Sequence, residues 1–229
     1  MPKPILEIIR LPYPVPYYAQ VASPELAESI FVHGMDPVQD PRWKESGAET
    51  PEEYAYWVER ACGVACLKMC VEAAGGPKHP LVNWARLGLE RGGYLIHHNE
   101  ADGSSHEVGW VHHTLVKMAQ EIGLTAEANP ASLEEIPGYL RQGKMVIASV
   151  SYEAGDDRLS ITKQGGHLMV IIGVDCVDGH PQAFYVNNPS GRRAELQAGA
   201  RLTVERFAAA YSGRVITIGR SLSGPAEII

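Results

Sequence analysis

Three cysteines at four-residue intervals, Cys62, Cys66 and Cys70, lie in a stretch whose apolar residues follow helical spacing. Cys62 opens this stretch, where the N-terminus of the helix would present unpaired backbone N–H groups and the positive end of its dipole. Both favour the thiolate, so the sequence predicts a reactive thiol with a pKa below the ordinary value of about 8.5. Gly63 would let a substrate carbonyl approach the backbone beside the sulfur. The alternative is that Cys62 is a small buried hydrophobic residue, as most free cysteines are.

A histidine and an asparagine far downstream could complete a site for nucleophilic catalysis. His167 opens an apolar run, and Asn188 ends the next one. A thiol nucleophile needs an imidazole to take its proton, and the imidazole needs a hydrogen-bond acceptor to orient it. Each residue also has a structural explanation, because a lone histidine is usually structural and Asn-Pro commonly forms a turn. Asn187 stays an alternative to Asn188, since neighbours in a strand point to opposite faces and only one can reach His167.

Metal binding is the main competing chemistry. A histidine-rich polar stretch contains His97, His98, Asn99, Glu100, Asp102, His106, His112 and His113. The interval from His106 to His112 is six residues, whereas metalloproteases place two histidines four residues apart. We therefore expect an exposed polar loop beside the active site rather than a metal site. The three cysteines on one helical face would diverge along its axis, which disfavours a shared soft metal. No metal or cofactor is expected, and Cys66, Cys70 and Cys176 are assigned to the structure.

Composition excludes several classes of protein. The chain has 229 residues, 45% hydrophobic and 21% charged, with a formal net charge of −7. A negative net charge does not favour binding to nucleic acid, which is itself a polyanion. No apolar run approaches the length of a membrane span, and prolines and charges within residues 1–16 argue against a signal peptide. Cysteines spaced along one helix do not form a disulfide framework, so we expect a reducing cytoplasm. The oligomeric state is left open.

Periodicity and caps predict helices in the first part of the chain and strands in the second. The predicted helices are 24–31, 51–57 or 51–60, 62–74, 83–90, 109–122, 132–140 and 203–211. The predicted strands are 145–152, 168–174, 183–186 and 215–219. Residues 1–20 are expected to be an extended arm, and residues 94–108 a polar loop. This order indicates an α+β protein with a helical lobe facing a mostly antiparallel β lobe.

These residues, in this order, resemble the papain-like cysteine peptidases, and more narrowly the bacteriocin-leader-processing (double-glycine) peptidases and their stand-alone relatives. The resemblance runs from Val15 to about Tyr211. It rests on Gln20, the Cys62-Gly63 pair, the Gly166-His167 pair and the Asn188-Pro189 pair. It implies a papain-like fold with the active site between the lobes. It further implies Cys62 as nucleophile, His167 as general base and acid, Asn188 as its orienter, and Gln20 as the side-chain donor of the oxyanion hole beside the Cys62 N–H.

Two departures from the family pattern bear on this interpretation. Gln20 and Cys62 are separated by 41 residues, whereas such peptidases usually place the glutamine only a few residues before the cysteine. Residues 21–61 must therefore leave the cleft and return, and Trp43, Tyr54, Tyr56 and Trp57 are expected to anchor them. We expect either a compact flap beside the cleft or a cover on the helical lobe. The leader-processing enzymes also usually carry Asp at the third position, where this chain has Asn188.

The expected organisation is one peptidase domain, with a helical lobe over about 20–142, a β lobe over about 143–229, and 21–61 as the insertion. The expected reaction is hydrolysis of a peptide or amide bond through a thioester on Cys62. A cysteine acyltransferase would use the same triad, with an amine or thiol in place of water. A catalytically silent peptide-binding module is the other alternative, and its mark would be a missing triad member. The expected partner is a peptide or small amide substrate, with neither nucleic acid nor membrane.

Overall fold

The computed structural model describes residues 3–98 and 105–220, in which helices pack against an antiparallel sheet. The helices are α1 Ala27–Phe31, α2 Pro51–Val58, α3 Cys62–Ala73, α4 Leu81–Glu90, α5 His112–Glu121, α6 Ile136–Arg141 and α7 Val204–Ala210. The strands are β1 Leu6–Arg10, β2 Tyr94–His98, β3 Ser105–Trp110, β4 Thr125–Pro130, β5 Met145–Val150, β6 His167–Val177, β7 His180–Asn187, β8 Ala200–Thr203 and β9 Tyr211–Gly219.

Strand β6 is the centre of a seven-stranded sheet, in which six strands follow the order β4-β9-β5-β6-β7-β8 and the seventh, β1, pairs with β6. One edge of β6 pairs first with β5, from His167 opposite Val150 to Ile171 opposite Val146, and then with β1. Its other edge pairs with β7 only from Val170 onward, where Asn187 lies opposite. The first residues of β6 therefore have an edge that β7 does not cover.

Helix α3 is the buried partner of this sheet. All of its residues except Cys62 and Glu72 are buried, because the helix packs on β5 and β6 on one side and on α4 and α5 on the other. A helix that is apolar nearly all round is typical of such a central position. Cys66 and Cys70 are fully buried within it, and Cys176 is fully buried in β6, so the structural assignment of these three is confirmed.

The α+β expectation is confirmed, but the division of the chain near residue 143 does not separate helices from sheet. Strands β1 and β4 both precede that position and belong to the sheet. The sequences of β1 and β4 do not indicate strands. Strand β4 buries only one side chain, Ala126, and β1 buries only Ile9. Strands with one buried residue lack the alternation that identifies a half-buried strand.

The polar loop expected over 94–108 is wrong for the residues described there. Strands β2 and β3 form an antiparallel hairpin, with Tyr94 opposite Trp110 and His97 opposite His106. Residues 99–104, which include Asn99, Glu100 and Asp102 of the histidine-rich stretch, lie outside the described part of the chain. The sequence did not predict the hairpin because Leu95, Ile96 and Val108 are exposed. Its strands therefore lack the alternation of buried apolar and exposed polar residues that identifies a strand.

Residues 21–61 form a small core of their own. Tyr54 and Val58 are fully buried there with Ala19, Val21, Ala27 and Ile30, and Trp43 packs against them partly buried. The polar centre is Asp40, which accepts hydrogen bonds from the Ser23 and Tyr54 hydroxyls and from the backbone N–H of Arg42. Trp57 joins the main core instead, and Tyr56 is exposed, so Tyr56 is not the buried anchor that was expected.

No α-helix within residues 3–98 and 105–220 combines the length and hydrophobicity needed to span a bilayer.

Candidate active site

Cys62 is the first residue of α3, and Ala61 before it makes no side-chain cap. The open helix end therefore leaves backbone N–H groups available to the thiol. The backbone N–H groups of Cys62 itself, of Gly63 and of Leu168 in β6 act to lower the pKa of the Cys62 thiol. Cys62 is half-buried, whereas the other three cysteines are fully buried.

His167 occupies the first position of β6 because two glycines turn the chain into the strand. Gly165 and Gly166 have φ of +74° and +87°, in the left-handed region that favours glycine. The uncovered edge of β6 then faces α3. There the Leu168 carbonyl accepts a hydrogen bond from Cys66 Sγ at 3.3 Å. This contact holds the first turns of α3 against the start of β6.

Asn188 directly follows β7 and meets the histidine ring. His167 Nε2 and Asn188 Oδ1 are 2.9 Å apart, which makes Nε2 the protonated ring nitrogen that donates to the amide oxygen. His167 Nδ1 is then the nitrogen able to accept a proton. Asn187 points elsewhere, because its amide nitrogen donates to the carbonyls of Val15 and Pro16. The structure thus brings Asn188, and not Asn187, to the histidine.

Two residues that the sequence analysis missed support this contact. Ser190 Oγ lies 3.0 Å from His167 Nε2 and 3.3 Å from Asn188 Oδ1, so the hydroxyl shares the contact. Gly155 packs against the other side of the amide, since a Cβ built on it would lie 2.2 Å from Asn188 Nδ2. Ser190 could have been found in the sequence, because an asparagine commonly forms a turn with the residue two positions later. No sequence signal pointed to Gly155.

Cys62 and His167 line the same cavity, of about 150 Å³. Its other lining residues are Glu59, Arg60, Tyr94, Val108, Gly109, Trp110, His112, Ser149, Gly166 and Leu168. The hairpin supplies one wall, and Trp110 fits against Gly63, where a Cβ would lie 2.6 Å from the indole. Gly63 is thus required by the packing of Trp110, a reason that the sequence did not reveal.

Burial governs the charges of the two central groups. It raises the pKa of the Cys62 thiol to about 11, against the opposing effect of the three backbone N–H groups. It lowers the pKa of His167 to about 4, with Arg192 adding to this effect and Asn188 opposing it. The expectation of a depressed thiol pKa is therefore wrong, because desolvation outweighs the helix terminus.

Gln20 is buried near the site, but its amide nitrogen donates to the Val58 carbonyl at 2.7 Å. Its backbone N–H donates to Pro189, next to Asn188, at 2.7 Å. Gln20 is not among the residues that line the Cys62 cavity. The amide nitrogen carries a second hydrogen, so the Val58 contact leaves one donor for another partner. Its predicted oxyanion role stays a prediction.

Of the histidine-rich stretch, His97, His98 and His106 lie in the strands of the hairpin, and His112 and His113 begin α5. Within residues 3–98 and 105–220, no three or more His, Cys, Asp or Glu side chains converge as metal ligands would. His112 instead lines the cavity that contains Cys62 and His167.

Cys62 and His167 line one cavity and Asn188 contacts the histidine, an arrangement that on an α+β fold is typical of papain-like proteins. The chain belongs to the Peptidase_C39 like family, whose model matches residues 15–214. This span includes Gln20, Cys62, His167 and Asn188 and confirms the resemblance found in the sequence. Comparison with curated proteins finds no significant match.

Solved structures with a similar chain course include two peptidase domains of transporters. One is the peptidase domain of Streptococcus ComA, a bi-functional ABC transporter involved in quorum sensing, with 17% identity and a TM-score of 0.47 over 71% of this chain and 93% of that one. The other is a double glycine motif protease from an AMS/PCAT transporter in complex with the leader peptide, with 16% identity and a TM-score of 0.44 over 70% and 84%.

Proposed function

We propose that this protein is a cysteine peptidase or amidase that hydrolyses a peptide or amide bond through a thioester on Cys62. The observation that carries the proposal is the orientation of His167. Its Nε2 is held by Asn188, which leaves Nδ1 as the nitrogen able to accept a proton, and His167 and Cys62 line one cavity. A nucleophile, a base and an orienting group in this relation are the requirements of acyl transfer.

In the first step, Cys62 Sγ attacks the substrate carbonyl carbon and its proton passes to His167 Nδ1. Burial disfavours a thiolate alone and an imidazolium alone, as the two pKa directions indicate. One proton transfer creates both charges together, and each then offsets the desolvation of the other. The N–H groups of Gly63 and Leu168 stabilise the negative sulfur, and Asn188 stabilises the imidazolium.

The tetrahedral intermediate places negative charge on the former carbonyl oxygen. We propose that the Cys62 backbone N–H and the second amide hydrogen of Gln20 receive this oxygen. His167 then returns its proton to the leaving amine, and the thioester forms. Water, deprotonated by His167, attacks the thioester, which releases a carboxylic acid and restores the thiol.

The test is a defined pool of synthetic peptides, incubated with the protein and read by mass spectrometry. We expect cleavage products whose new carboxyl termini carry one added water, and we expect Cys62→Ala to produce none. Cys70→Ala, which changes a buried cysteine outside the cavity, serves as the matched control and should retain cleavage. Products joined to an added amine in place of water would instead indicate the acyltransferase. Cleavage that survives in Cys62→Ala would contradict the proposal.

A cysteine-directed vinyl sulfone gives an independent measurement. Mapping of the modified residue should identify Cys62, since it alone of the four cysteines is not fully buried. The reaction should slow strongly in His167→Ala, because the thiol then loses its base.

A further inference from the structure

A second and larger cavity, of about 650 Å³, adjoins the one that contains Cys62. The two cavities share Val108, Gly109, Trp110, His112 and Ser149 as lining residues. The second cavity continues past this shared wall along the ends of β4 and β9. A substrate bound at Cys62 can therefore extend into it without leaving the surface of the protein.

Basic side chains line this second cavity, and acidic ones do not. Arg214, His112 and His113 are among its lining residues, and neither Asp nor Glu is, within the described part of the chain. Arg214 is exposed at the start of the pairing between β9 and β4, where it lies opposite Pro130. None of the ion pairs among residues 3–98 and 105–220 involves it. Arg206 and Arg220 also form no ion pair within the described residues, but their guanidinium groups donate to backbone carbonyls, whereas the Arg214 guanidinium makes no hydrogen bond there.

The positive charge of Arg214 acts on His112, which lines both cavities. Burial lowers the pKa of His112, and the positive charge of Arg214 lowers it further. His112 is also the first residue of α5, whose first turn carries no acidic side chain. The positive end of this helix thus adds to the arginine rather than being neutralised. Asn129 and Ser212 supply uncharged polar groups around it.

We propose that this cavity binds a carboxylate of the substrate through the Arg214 guanidinium, so that the enzyme selects acidic peptides. The inference rests on the proposed function, because it names the substrate class of that site. Guanidinium presents two parallel N–H donors that match a carboxylate, and such charge-assisted hydrogen bonds are among the stronger ones. The carboxylate is either an Asp or Glu side chain near the bond to be cleaved or the free carboxyl terminus of a short substrate.

Binding is measured apart from cleavage on immobilised Cys62→Ala protein. The probe is a synthetic peptide pool of matched pairs, Glu against Gln and Asp against Asn at each position, with free and amidated carboxyl termini. We expect acidic members to be retained roughly tenfold over their amide counterparts, the ratio that one charge-assisted hydrogen bond supplies. Arg214→Glu, added to Cys62→Ala, should abolish or invert this preference. Lys117→Glu changes the charge equally on an exposed residue of α5 outside the cavity and should preserve it.

The outcomes separate the two sources of the carboxylate and the two proposals. Preference confined to side-chain Glu and Asp assigns the cavity to an acidic residue, and preference lost on amidation assigns it to the carboxyl terminus. Equal retention of both members of each pair, or an acidic preference unchanged by Arg214→Glu, overturns the inference. Cleavage of the same pool by the wild-type protein is scored separately. Arginine-dependent retention without cleavage would refute the peptidase and leave the carboxylate site standing.

Discussion

The Cys62 thiol is more accessible than the other three thiols, and burial raises its pKa less than that of Cys70. Burial raises the pKa of all four, but only Cys62 is not fully buried. We therefore expect iodoacetamide to alkylate Cys62 first. Because burial raises its pKa to about 11, the thiolate fraction of the ligand-free protein grows as pH rises, and the alkylation rate should climb from pH 7 to pH 10. Mass spectrometry of peptides from timed reactions measures both order and rate.

The pH profile also tests the resting state of the pair. With the His167 pKa lowered to about 4, the imidazole is neutral at pH 7 and no ion pair is formed before substrate binds. A rate that stays constant from pH 9 down to about pH 5 would reveal a preformed thiolate–imidazolium pair. Such a plateau would contradict the neutral pair.

Gly155 offers a test of the proposed role of Asn188 that leaves Cys62, His167 and Asn188 themselves unchanged. A Cβ at position 155 would lie 2.2 Å from Asn188 Nδ2, so Gly155→Ala must displace the amide from His167. We expect kcat to fall about tenfold or more, since the histidine loses its orienting group, while KM changes little. Gly138→Ala is the matched control, because a Cβ there meets nothing within 4 Å. Equal activity of the two variants would show that the amide does not orient the base.

Gln20 is tested by truncation of its side chain. If its second amide hydrogen reaches the oxyanion, Gln20→Ala should lower kcat by roughly a hundredfold with a small effect on KM. Loss of the Val58 contact alone would lower thermal stability without this fall in kcat. The combination of steady-state kinetics and a melting curve separates the two effects, and an unchanged kcat would exclude Gln20 as the donor.

At the scale of elements, the β2–β3 hairpin is fixed to the helices by Trp110. A Cβ on Gly63 of α3 would lie 2.6 Å from this indole, and one on Gly88 of α4 would lie 2.4 Å from it. The indole nitrogen also donates to the Arg60 carbonyl at 2.6 Å. Trp110 thus fills the space beside two glycines, and it lines both cavities.

We expect Trp110→Ala to destabilise the protein by about 3–5 kcal/mol, the usual cost of deleting a buried aromatic side chain. The free energy of unfolding is measured by urea titration. Gly88→Ala should act in the same direction, because the indole must move. Gly138→Ala, also in a helix but with nothing within 4 Å of its Cβ, controls for effects of the substitution itself. A Trp110→Ala variant as stable as the wild type would show that the hairpin is not held by this side chain.

The sequence predicted most elements whose burial is one-sided or complete and missed β1 and β4, which bury one side chain each. It also missed β8, which has one-sided burial but is only four residues long. Helix α3 and strand β6 have apolar patterns that packing enforces, so Cys62 and His167 were placed at the correct ends of their elements. Asn188 followed from the end of the next apolar run. Gly155 and the Trp110 contact depend on residues distant in the chain, and no local pattern encodes such contacts. The thiol pKa was misjudged because desolvation depends on tertiary packing, whereas the helix terminus is visible locally.

At the scale of the whole molecule, residues 21–61 bridge the helices to loops of the sheet. Gln197 donates to the Pro24 carbonyl, and Arg158 pairs with Glu28 at 2.7 Å. Of this segment, only Glu59 and Arg60 line the Cys62 cavity, within the described residues. The contacts therefore favour a cover on the helical side over a flap that closes the cleft.

The loop over residues 151–162 links this cover to the sheet, and its carboxylates predict how the molecule responds to acid. Hydrogen bonds from Thr162 and Ser151 lower the pKa of Glu153 from 4.5 to about 2, and Arg158 lowers that of Asp156 from 3.8 to about 2. A carboxylate with a depressed folded pKa stabilises the fold above its unfolded pKa and loses this effect as pH falls toward the folded value. We therefore expect Tm to drop between about pH 4.5 and pH 2 and to be steadier above it. Circular dichroism melting curves at a series of pH values measure the slope of Tm against pH.

Glu153→Gln removes one titrating group and should flatten the slope of Tm against pH, whereas Glu52→Gln, at an exposed position of α2, should not. An unchanged slope in Glu153→Gln would show that the loop does not control acid unfolding.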